Sequence, residues 1–268
     1  MIKLIASDLD GTLLQNGAQT LTPRAVPLIR RLAACGIIFA AASGRQYPNL
    51  VRLFGEAAGD MAFLCENGAF VVYQGKVIAK SCMEWMDAKK LVEDILARGD
   101  CEVLISGEST SYVLPKSKRF LDHMQNTVKN NVRVIENLSD IPEEIIKVSA
   151  YERAGIQNSA SYFLPRWQDT LKCTVSDFHW IDFVRRDVNK GAALAALLSF
   201  LHIHVDETAA FGDNYNDLEM LSLVGTGIVM ENSAPEIFNR YPFHTACVED
   251  TLECFYKRRI KDPEASIQ

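Results

Sequence analysis

The N-terminal stretch that decides the fold covers residues 2–12 and reads Ile-Lys-Leu-Ile-Ala-Ser-Asp-Leu-Asp-Gly-Thr. Its apolar run at 2–6 predicts a β-strand, which two carboxylates, Asp8 and Asp10, follow closely. Residues two apart on an extended segment point to the same side, so both acids can face one reacting centre at the C-terminal edge of a sheet. Gly11 lets the chain turn sharply after them. Taken alone, the motif also fits a strand-to-turn Asp-Gly with an incidental second acid.

The residues that follow predict a βαβ unit. Thr22 is predicted as the helix N-cap, Pro23 as the first helical residue and Gly36 as the stop signal. The apolar positions that share one face of this helix are Val26, Ile29, Leu32 and Ala33. A second apolar run at 37–42 predicts the next strand. Two continuously apolar strands joined by a helix are typical of a parallel sheet covered on both faces.

The C-terminal third repeats the same alternation. It predicts a helix at 190–202, a strand at 208–211, a helix near Leu218 and a strand at 227–230. Both ends of the chain are therefore expected to build one α/β core with a doubly wound parallel sheet.

The middle of the chain has a different texture. Amphipathic segments at 88–97 and 120–129 are mixed with short β-rich runs at 103–105, 112–114 and 145–150. This mixture predicts an inserted α+β domain. The domain prediction is a core formed by residues 1–82 and 183–268, with the insert at 83–182.

Three further polar motifs follow predicted strands or open predicted helices. Ser43-Gly44-Arg45 offers a hydroxyl, a free backbone NH and a guanidinium, a small phosphate cradle that also fits an ordinary turn. Asp213-Asn214-Tyr215-Asn216-Asp217 offers two acids that can bind a hard cation, or simply an N-capped helix with acids at its positive end. Lys190 opens an apolar helix, where a cation opposes the macrodipole, so either an anionic partner or a solvated lysine fits.

Composition limits the partners. With 28 Lys and Arg against 34 Asp and Glu, the net charge is -6, which argues against nucleic acid and membrane surfaces and favours a small-molecule partner. The seven cysteines form no C-x-x-C pair and are expected to be reduced thiols. We find no signal-peptide pattern and no apolar stretch long enough to span a membrane, and we expect a cytoplasmic protein, monomeric or a small homo-oligomer.

Together, the order Asp-x-Asp-Gly-Thr, Ser-Gly-Arg, Lys and Gly-Asp-x-x-Asn-Asp resembles the haloacid dehalogenase (HAD) superfamily of phosphohydrolases, in detail its Cof-type subfamily. Supporting matches are Glu66-Asn67-Gly68 and Met230-Glu231-Asn232-Ser233-Ala234. The interval between Thr12 and Ser43 is too short for an inserted domain, whereas that between Ser43 and Lys190 holds one. This spacing fits the C2 cap arrangement of the Cof type.

The resemblance implies a role for each motif residue. Asp8 would be the nucleophile that forms an aspartyl-phosphate, and Asp10 the general acid and base. Ser43 and Lys190 would hold the phosphoryl oxygens. Mg2+ would be bound by the side chains of Asp8 and Asp213 and the backbone carbonyl of Asp10, and Asp217 would orient metal waters or Lys190. The substrate and phosphate contacts implied are Leu9, Thr12, Gly44, Arg45, Asn67 and Asn216.

The leading hypothesis is a Mg2+-dependent phosphatase of a small phosphorylated metabolite, with a sugar phosphate first. The alternatives are a phosphatase of a cofactor such as pyridoxal phosphate or a flavin nucleotide, a phosphotransferase, and a non-catalytic signalling module phosphorylated on aspartate. Polar candidates for substrate recognition in the insert are Lys147, Arg153 and His179, for which a solvated surface position is the competing interpretation.

Overall fold

The computed structural model describes residues 1–261 and divides into two compact units. The first unit comprises Met1–Arg45, Leu50–Ala79 and the chain from Asn189 onward, and the second comprises Gln46–Asn49 and Lys80–Val188. The second unit is longer than the insert predicted at 83–182. At one end Lys80 Nζ donates to Glu108 Oε1 at 2.7 Å, and at the other end the last strand of the unit continues to Arg185.

The strands and helices alternate over most of the chain. The strands are β1 (Leu4–Asp8), β2 (Ile38–Ala42), β3 (Ala62–Cys65), β4 (Phe70–Tyr73), β5 (Lys76–Lys80), β6 (Glu102–Ser106), β7 (Ser111–Val113), β8 (Val132–Val134), β9 (Lys147–Tyr151), β10 (Leu171–Asp177), β11 (Trp180–Arg185), β12 (Thr208–Gly212), β13 (Thr226–Met230) and β14 (Phe243–Thr245). The helices are α1 (Ala25–Ala34), α2 (Tyr47–Phe54), α3 (Trp85–Ala97), α4 (Lys118–Asp122), α5 (Gln157–Trp167), α6 (Lys190–Leu201), α7 (Leu218–Leu223), α8 (Pro235–Phe238) and α9 (Val248–Lys261). Within residues 1–261, no helix combines the length and apolarity that a membrane crossing requires.

The first unit is built on an eight-stranded sheet with the order β14-β13-β12-β1-β2-β3-β4-β5. β1 pairs in parallel with both β2 and β12, parallel pairing continues to β3 on one side and to β13 and β14 on the other, and β4 is antiparallel to β3. All five residues of β1 and of β12 are buried, as their continuous apolar runs predict. The predicted α/β fold with a parallel sheet is confirmed.

The start of α1 differs from the prediction. Its N-cap is Arg24, without a side-chain capping bond, and Pro23 precedes the helix. Thr22 was predicted to cap it, but its hydroxyl instead donates to Glu249 Oε1 at 2.6 Å. The helix begins at Ala25, too far along the chain for Thr22 to be its N-cap, and the bond to Glu249 is a tertiary contact that local signals do not reveal. Gly36 does follow the helix end, with a φ of +75°.

The second unit is built on a six-stranded sheet with the order β10-β11-β9-β6-β7-β8. Its pairs are antiparallel except β7 with β8. Alternate residues of β6, β9 and β11 join α3 and α5 in one apolar core, to which the largest contributors are Leu91, Ile95, Tyr112, Phe163 and Phe183. The predicted helical segment at 120–129 is α4 followed by a π-helix at His123–Thr127. This unit therefore has the α+β texture that the sequence predicts.

Candidate active site

The register of the central strands brings the predicted motifs together. Asp8 is the last residue of β1 and lies beside Ala42 of β2, so Ser43 follows on the neighbouring strand. On the other side Ser7 lies beside Phe211 of β12, which places Asp213 just past the same edge. Parallel strands present their carboxyl ends at one edge of a sheet, and that edge is where α/β proteins bind ligands.

Lys190 joins two of the acids. Its ammonium group donates to Asp8 Oδ1 at 2.5 Å and to Asp217 Oδ1 at 2.6 Å, and the residue is 1% exposed. Burial would lower the pKa of Lys190, but the charges of Asp217 and Asp8 outweigh burial and raise it. The cation at the start of α6, which opposes the helix dipole, is therefore held charged by buried carboxylates. Asn189 caps the same helix by accepting from Ala192 N at 2.7 Å.

Asp217 also shapes the loop after β12. Its Oδ2 accepts hydrogen bonds from the backbone N of Asp213 at 3.1 Å and of Asn214 at 3.0 Å. A side chain on Gly212 would place its Cβ 2.6 Å from the Asp217 Cβ, so the loop closes only over glycine. Asp217 is completely buried, and its carboxylate accepts hydrogen bonds from both the loop after β12 and Lys190.

The loop after β1 is fitted against Asp213. Thr12 Oγ1 donates to Asp213 Oδ1 at 2.7 Å. Gly11 has a φ of +95°, and a Cβ there would lie 2.3 Å from Asp213 Oδ2. The Thr12 NH donates to Leu9 O at 3.1 Å, so this residue steadies the loop and Asp213, and the phosphate contact predicted at Thr12 stays a prediction. The phosphate contact predicted at Leu9 stays a prediction.

Three carboxylates are close enough to share a cation. Oxygens of Asp8, Asp213 and Asp217 lie within 4.8 Å of one another. Burial and then the charge of Asp217 raise the pKa of Asp8, and the same causes raise that of Asp213. Lys190 supplies a single positive charge to this group, so a divalent cation would stabilise it, and carboxylate oxygens are the ligands that Mg2+ prefers. The donor set fits the predicted metal, and Asp217 lies close to the predicted side-chain ligands Asp8 and Asp213.

The predicted phosphate cradle is assembled around Asn67. The Asn67 backbone N donates to Ser43 O at 2.9 Å, and its side-chain amide lies 3.2 Å from where a Cβ on Gly44 would be. Asn67 has a φ of +58°, a conformation that asparagine tolerates better than most residues. Asn216 Nδ2 donates to Asn67 Oδ1 at 3.5 Å. Four residues predicted separately are thus neighbours in the first unit.

Arg45 forms an ion pair with Asp10. Its guanidinium donates from Nε to Asp10 Oδ2 at 3.1 Å and from Nη2 to Asp10 Oδ1 at 2.5 Å. The phosphate contact predicted at Arg45 stays a prediction, and the structure pairs its guanidinium with the second acid of the first motif. Motif spacing carries no signal for this pair, since it arises from the side-by-side position of β1 and β2.

Asn232 is a site residue whose role the sequence did not assign. It belongs to the segment 230–234, and its Nδ2 donates to Gly11 O at 2.9 Å. The turn that carries it is held by a bond from Glu231 N to Thr245 O at 3.0 Å. The side chains of Asp213 and Asn232 therefore both hold the loop after β1.

In the second unit the three polar candidates have separate surroundings. Lys147 Nζ lies 3.6 Å from Asp182 Oδ2, and Ser149 donates to Asp182 Oδ1 at 2.6 Å, so Lys147 belongs to a buried polar cluster that the sequence did not predict. His179 Nδ1 is 3.3 Å from the Glu152 carbonyl. Arg153 lines a cavity of about 270 Å³ together with Arg119, Phe120, His123 and Tyr151.

Known proteins resemble this chain in sequence or in fold. A family model described as haloacid dehalogenase-like hydrolase matches residues 5–251. The 5-amino-6-(5-phospho-D-ribitylamino)uracil phosphatase YbjI of Escherichia coli (strain K12) is 29% identical over 244 residues, 88% of each chain. The pyridoxal phosphate phosphatase YbhA of the same organism is 24% identical, over 86% of this chain and 88% of that protein. A solved haloacid dehalogenase-like hydrolase from Bacteroides thetaiotaomicron has a TM-score of 0.83 at 21% identity, covers 95% of this chain and 100% of its own, and so shares the fold.

Proposed function

The chain belongs to the haloacid dehalogenase-like hydrolase family and is a phosphoric monoester hydrolase, and from this premise we propose that it cleaves a small phosphorylated metabolite through an aspartyl-phosphate on Asp8. The observation that carries the proposal is the position of Lys190. Its buried ammonium joins Asp8 to Asp217 while Asp213 lies alongside. One cation among three acids is a poor arrangement for stability, and a suitable one for binding a metal and a phosphoryl group.

In the first step an oxygen of Asp8 attacks phosphorus and the bond from phosphorus to the leaving oxygen breaks. Asp10, on the same loop and beside Arg45, enters this step as the carboxylic acid, donates its proton to the leaving oxygen and becomes the carboxylate. Lys190 and the backbone around Ser43 and Gly44 hold the phosphoryl oxygens, where fixed charges and dipoles contribute most to catalysis.

In the second step Asp10, now a carboxylate, takes a proton from water while the water oxygen attacks phosphorus. The bond between phosphorus and Asp8 breaks, which restores Asp8 as a carboxylate and Asp10 as an acid. Splitting the hydrolysis in two lets one carboxyl group serve as acid and then as base.

Mg2+ is the cofactor that the donor set supports, and the side chains of Asp8 and Asp213 with the backbone carbonyl of Asp10 would hold it. When bound, Mg2+ neutralises phosphoryl charge and orients the ester for attack. Thr12 holds the side chain of the ligand Asp213, and Asp217 holds its backbone N. Hydrogen bonds that support a ligand in this way commonly set metal affinity.

For the substrate we propose a phosphomonoester of a sugar or a sugar alcohol. The named substrate of the relative YbjI carries a phospho-D-ribityl group, which supports this class. A second candidate is pyridoxal phosphate, favoured by the name of the relative YbhA.

The test is a panel of phosphomonoesters that contains sugar phosphates, ribityl-type polyol phosphates, pyridoxal phosphate and para-nitrophenyl phosphate. We expect release of inorganic phosphate with Mg2+, none with EDTA and none from Asp8→Asn, whose amide is a poor nucleophile. The polyol or sugar esters should have the highest kcat/KM. Mg2+-independent turnover by pure protein, or full activity of Asp8→Asn, contradicts the mechanism.

The matched control is Asp250→Asn, which changes an exposed aspartate that pairs with Arg24. It should retain wild-type activity, because this exposed pair lies outside the site. Stable phosphorylation of Asp8 without turnover would favour a signalling module over an enzyme.

A further inference from the structure

Arg45 and Asp10 form a bidentate ion pair. Two nitrogens of the guanidinium each donate to a different oxygen of the carboxylate, at 3.1 Å and 2.5 Å. The Asp10 side chain is 55% exposed and that of Arg45 25% exposed. Such exposed pairs add little to stability, so the contact calls for another explanation.

Both partners are fixed by their backbones. The Arg45 N donates to Ser43 Oγ at 3.2 Å, and its carbonyl accepts from Glu66 N at 3.2 Å. Asp10 forms a bridge with Leu14, and the Gly11 N donates to Leu14 O at 2.9 Å. A short carboxylate on a fixed backbone, held at both oxygens, has one orientation where a free exposed aspartate would have several.

This orientation leaves the carboxylate able to exchange protons. A carboxylate has about four lone-pair directions, and the guanidinium uses one on each oxygen. The remaining direction on each oxygen stays open to a leaving group or a water molecule. The contact therefore fixes the plane of the carboxyl group without using up its capacity for proton transfer.

We propose that Arg45 is a positioning residue that aims the Asp10 carboxyl group at the leaving oxygen, in addition to any contact with phosphate. The inference rests on the proposed function, in which Asp10 protonates the leaving oxygen as the bond from phosphorus to that oxygen breaks and regains a proton from the attacking water. Arg45 exchanges no proton and forms no covalent bond in either step.

The leaving group provides the test. The 4-nitrophenolate ion leaves without being protonated, whereas the alkoxide of glycerol 2-phosphate needs the proton of Asp10. For Arg45→Gln we expect kcat/KM to fall on the order of a hundredfold with glycerol 2-phosphate and less than about tenfold with para-nitrophenyl phosphate. Because kcat/KM covers the steps up to departure of the leaving group, the shared second step does not mask the difference.

A double-mutant cycle separates positioning from phosphate binding. In an Asp10→Asn background, Arg45→Gln should cost nothing further with glycerol 2-phosphate, because the two residues act as one unit. Arg45→Lys keeps the charge but not the fork, so it should show the same selectivity for leaving group in milder form. The control, Arg52→Gln, removes an exposed arginine and should behave as wild type.

Equal losses of kcat/KM with both esters, retained in the Asp10→Asn background, would overturn the inference and leave Arg45 as a phosphate ligand. That result is distinct from failure of the proposed function, in which wild-type protein with Mg2+ hydrolyses neither ester and both proposals fall.

Discussion

Replacing Lys190 by methionine tests how the buried charges of the site are balanced. Lys190 is 1% exposed and donates to Asp8 and Asp217 at 2.5 and 2.6 Å. Methionine fills similar space without charge, so two buried carboxylates lose their cation. Breaking a buried ion pair from one side costs about 3–5 kcal/mol. At roughly 2–4 °C per kcal/mol for a chain of this size, Tm should fall by about 6–20 °C.

The loss should depend on pH. Burial and the charge of Asp217 raise the pKa of Asp8, and Lys190 opposes them. Without Lys190 the folded variant therefore binds a proton at Asp8 more readily than the wild type does. Stability falls as pH rises wherever the folded state binds more protons than the unfolded state, so the deficit of the variant should shrink as the pH is lowered and grow as it is raised.

The assay is thermal and urea unfolding in EDTA, at several pH values, with Lys89→Met as the matched control. Lys89 is exposed and lies 3.9 Å from Glu93, so its removal should change stability by less than about 0.5 kcal/mol. Adding Asp217→Asn to Lys190→Met should recover part of the loss, because one stranded carboxylate is removed. An unfolding free energy for Lys190→Met within about 1 kcal/mol of wild type, at every pH, would refute the reasoning.

Three other predictions address single contacts. Gly11→Ala should abolish Mg2+-dependent activity, since its Cβ would lie 2.3 Å from Asp213 Oδ2 at a φ of +95°; wild-type kcat with this variant would show that the loop adapts. Thr12→Val should weaken Mg2+ binding about 10–100-fold, because the hydrogen bond to Asp213 is lost. Calorimetry measures this Kd, and Thr12→Ser, which retains the bond, is the control. Equal Kd values for the two variants would argue against this role of Thr12. Burial raises the pKa of the Cys173 thiol to about 11. Its rate of alkylation by iodoacetamide, followed by peptide mass spectrometry, should therefore still rise about tenfold per pH unit up to about pH 9.5. A plateau of that rate near pH 9 would contradict the prediction.

The catalytic end of the sheet could be predicted because its signals are local. Each predicted strand is a short apolar run with an acid at its end: Asp8 is the last residue of β1, and Asp213 comes directly after β12. Parallel pairing then brings these strand ends together without any further information. The sequence could therefore predict which residues share the site, with Lys190 included once the motif order was considered.

Side-chain partners could not be predicted in the same way. The pair of Arg45 with Asp10 and the bond from Asn232 to Gly11 join residues 35 and 221 positions apart, and their geometry depends on strand register and loop path. The same limitation explains the incorrect N-cap, since Thr22 donates to Glu249, 227 residues away. A rule based on neighbouring residues cannot predict a tertiary hydrogen bond of this kind.

The insert shows where periodicity alone is insufficient. The sequence predicted a helix at 88–97, and α3 does cover it, but α5 was not identified although it supplies Phe163 to the core. Pro165 lies inside α5, and proline is a signal that normally argues against a helix interior. Packing against the sheet of the second unit compensates for the backbone bond that proline cannot make.

The most direct test of the central claim is to look for the phosphoryl group on Asp8. Asp10→Asn should still be phosphorylated by para-nitrophenyl phosphate, whose leaving group needs no acid, but should release phosphate slowly because no base activates water. After acid quenching, peptide mass spectrometry should find one phosphoryl group on Asp8 when Mg2+ was present and none after EDTA. Wild-type turnover of the same ester without any phosphoryl group on Asp8 of the variant, or with the group on another residue, would contradict the account.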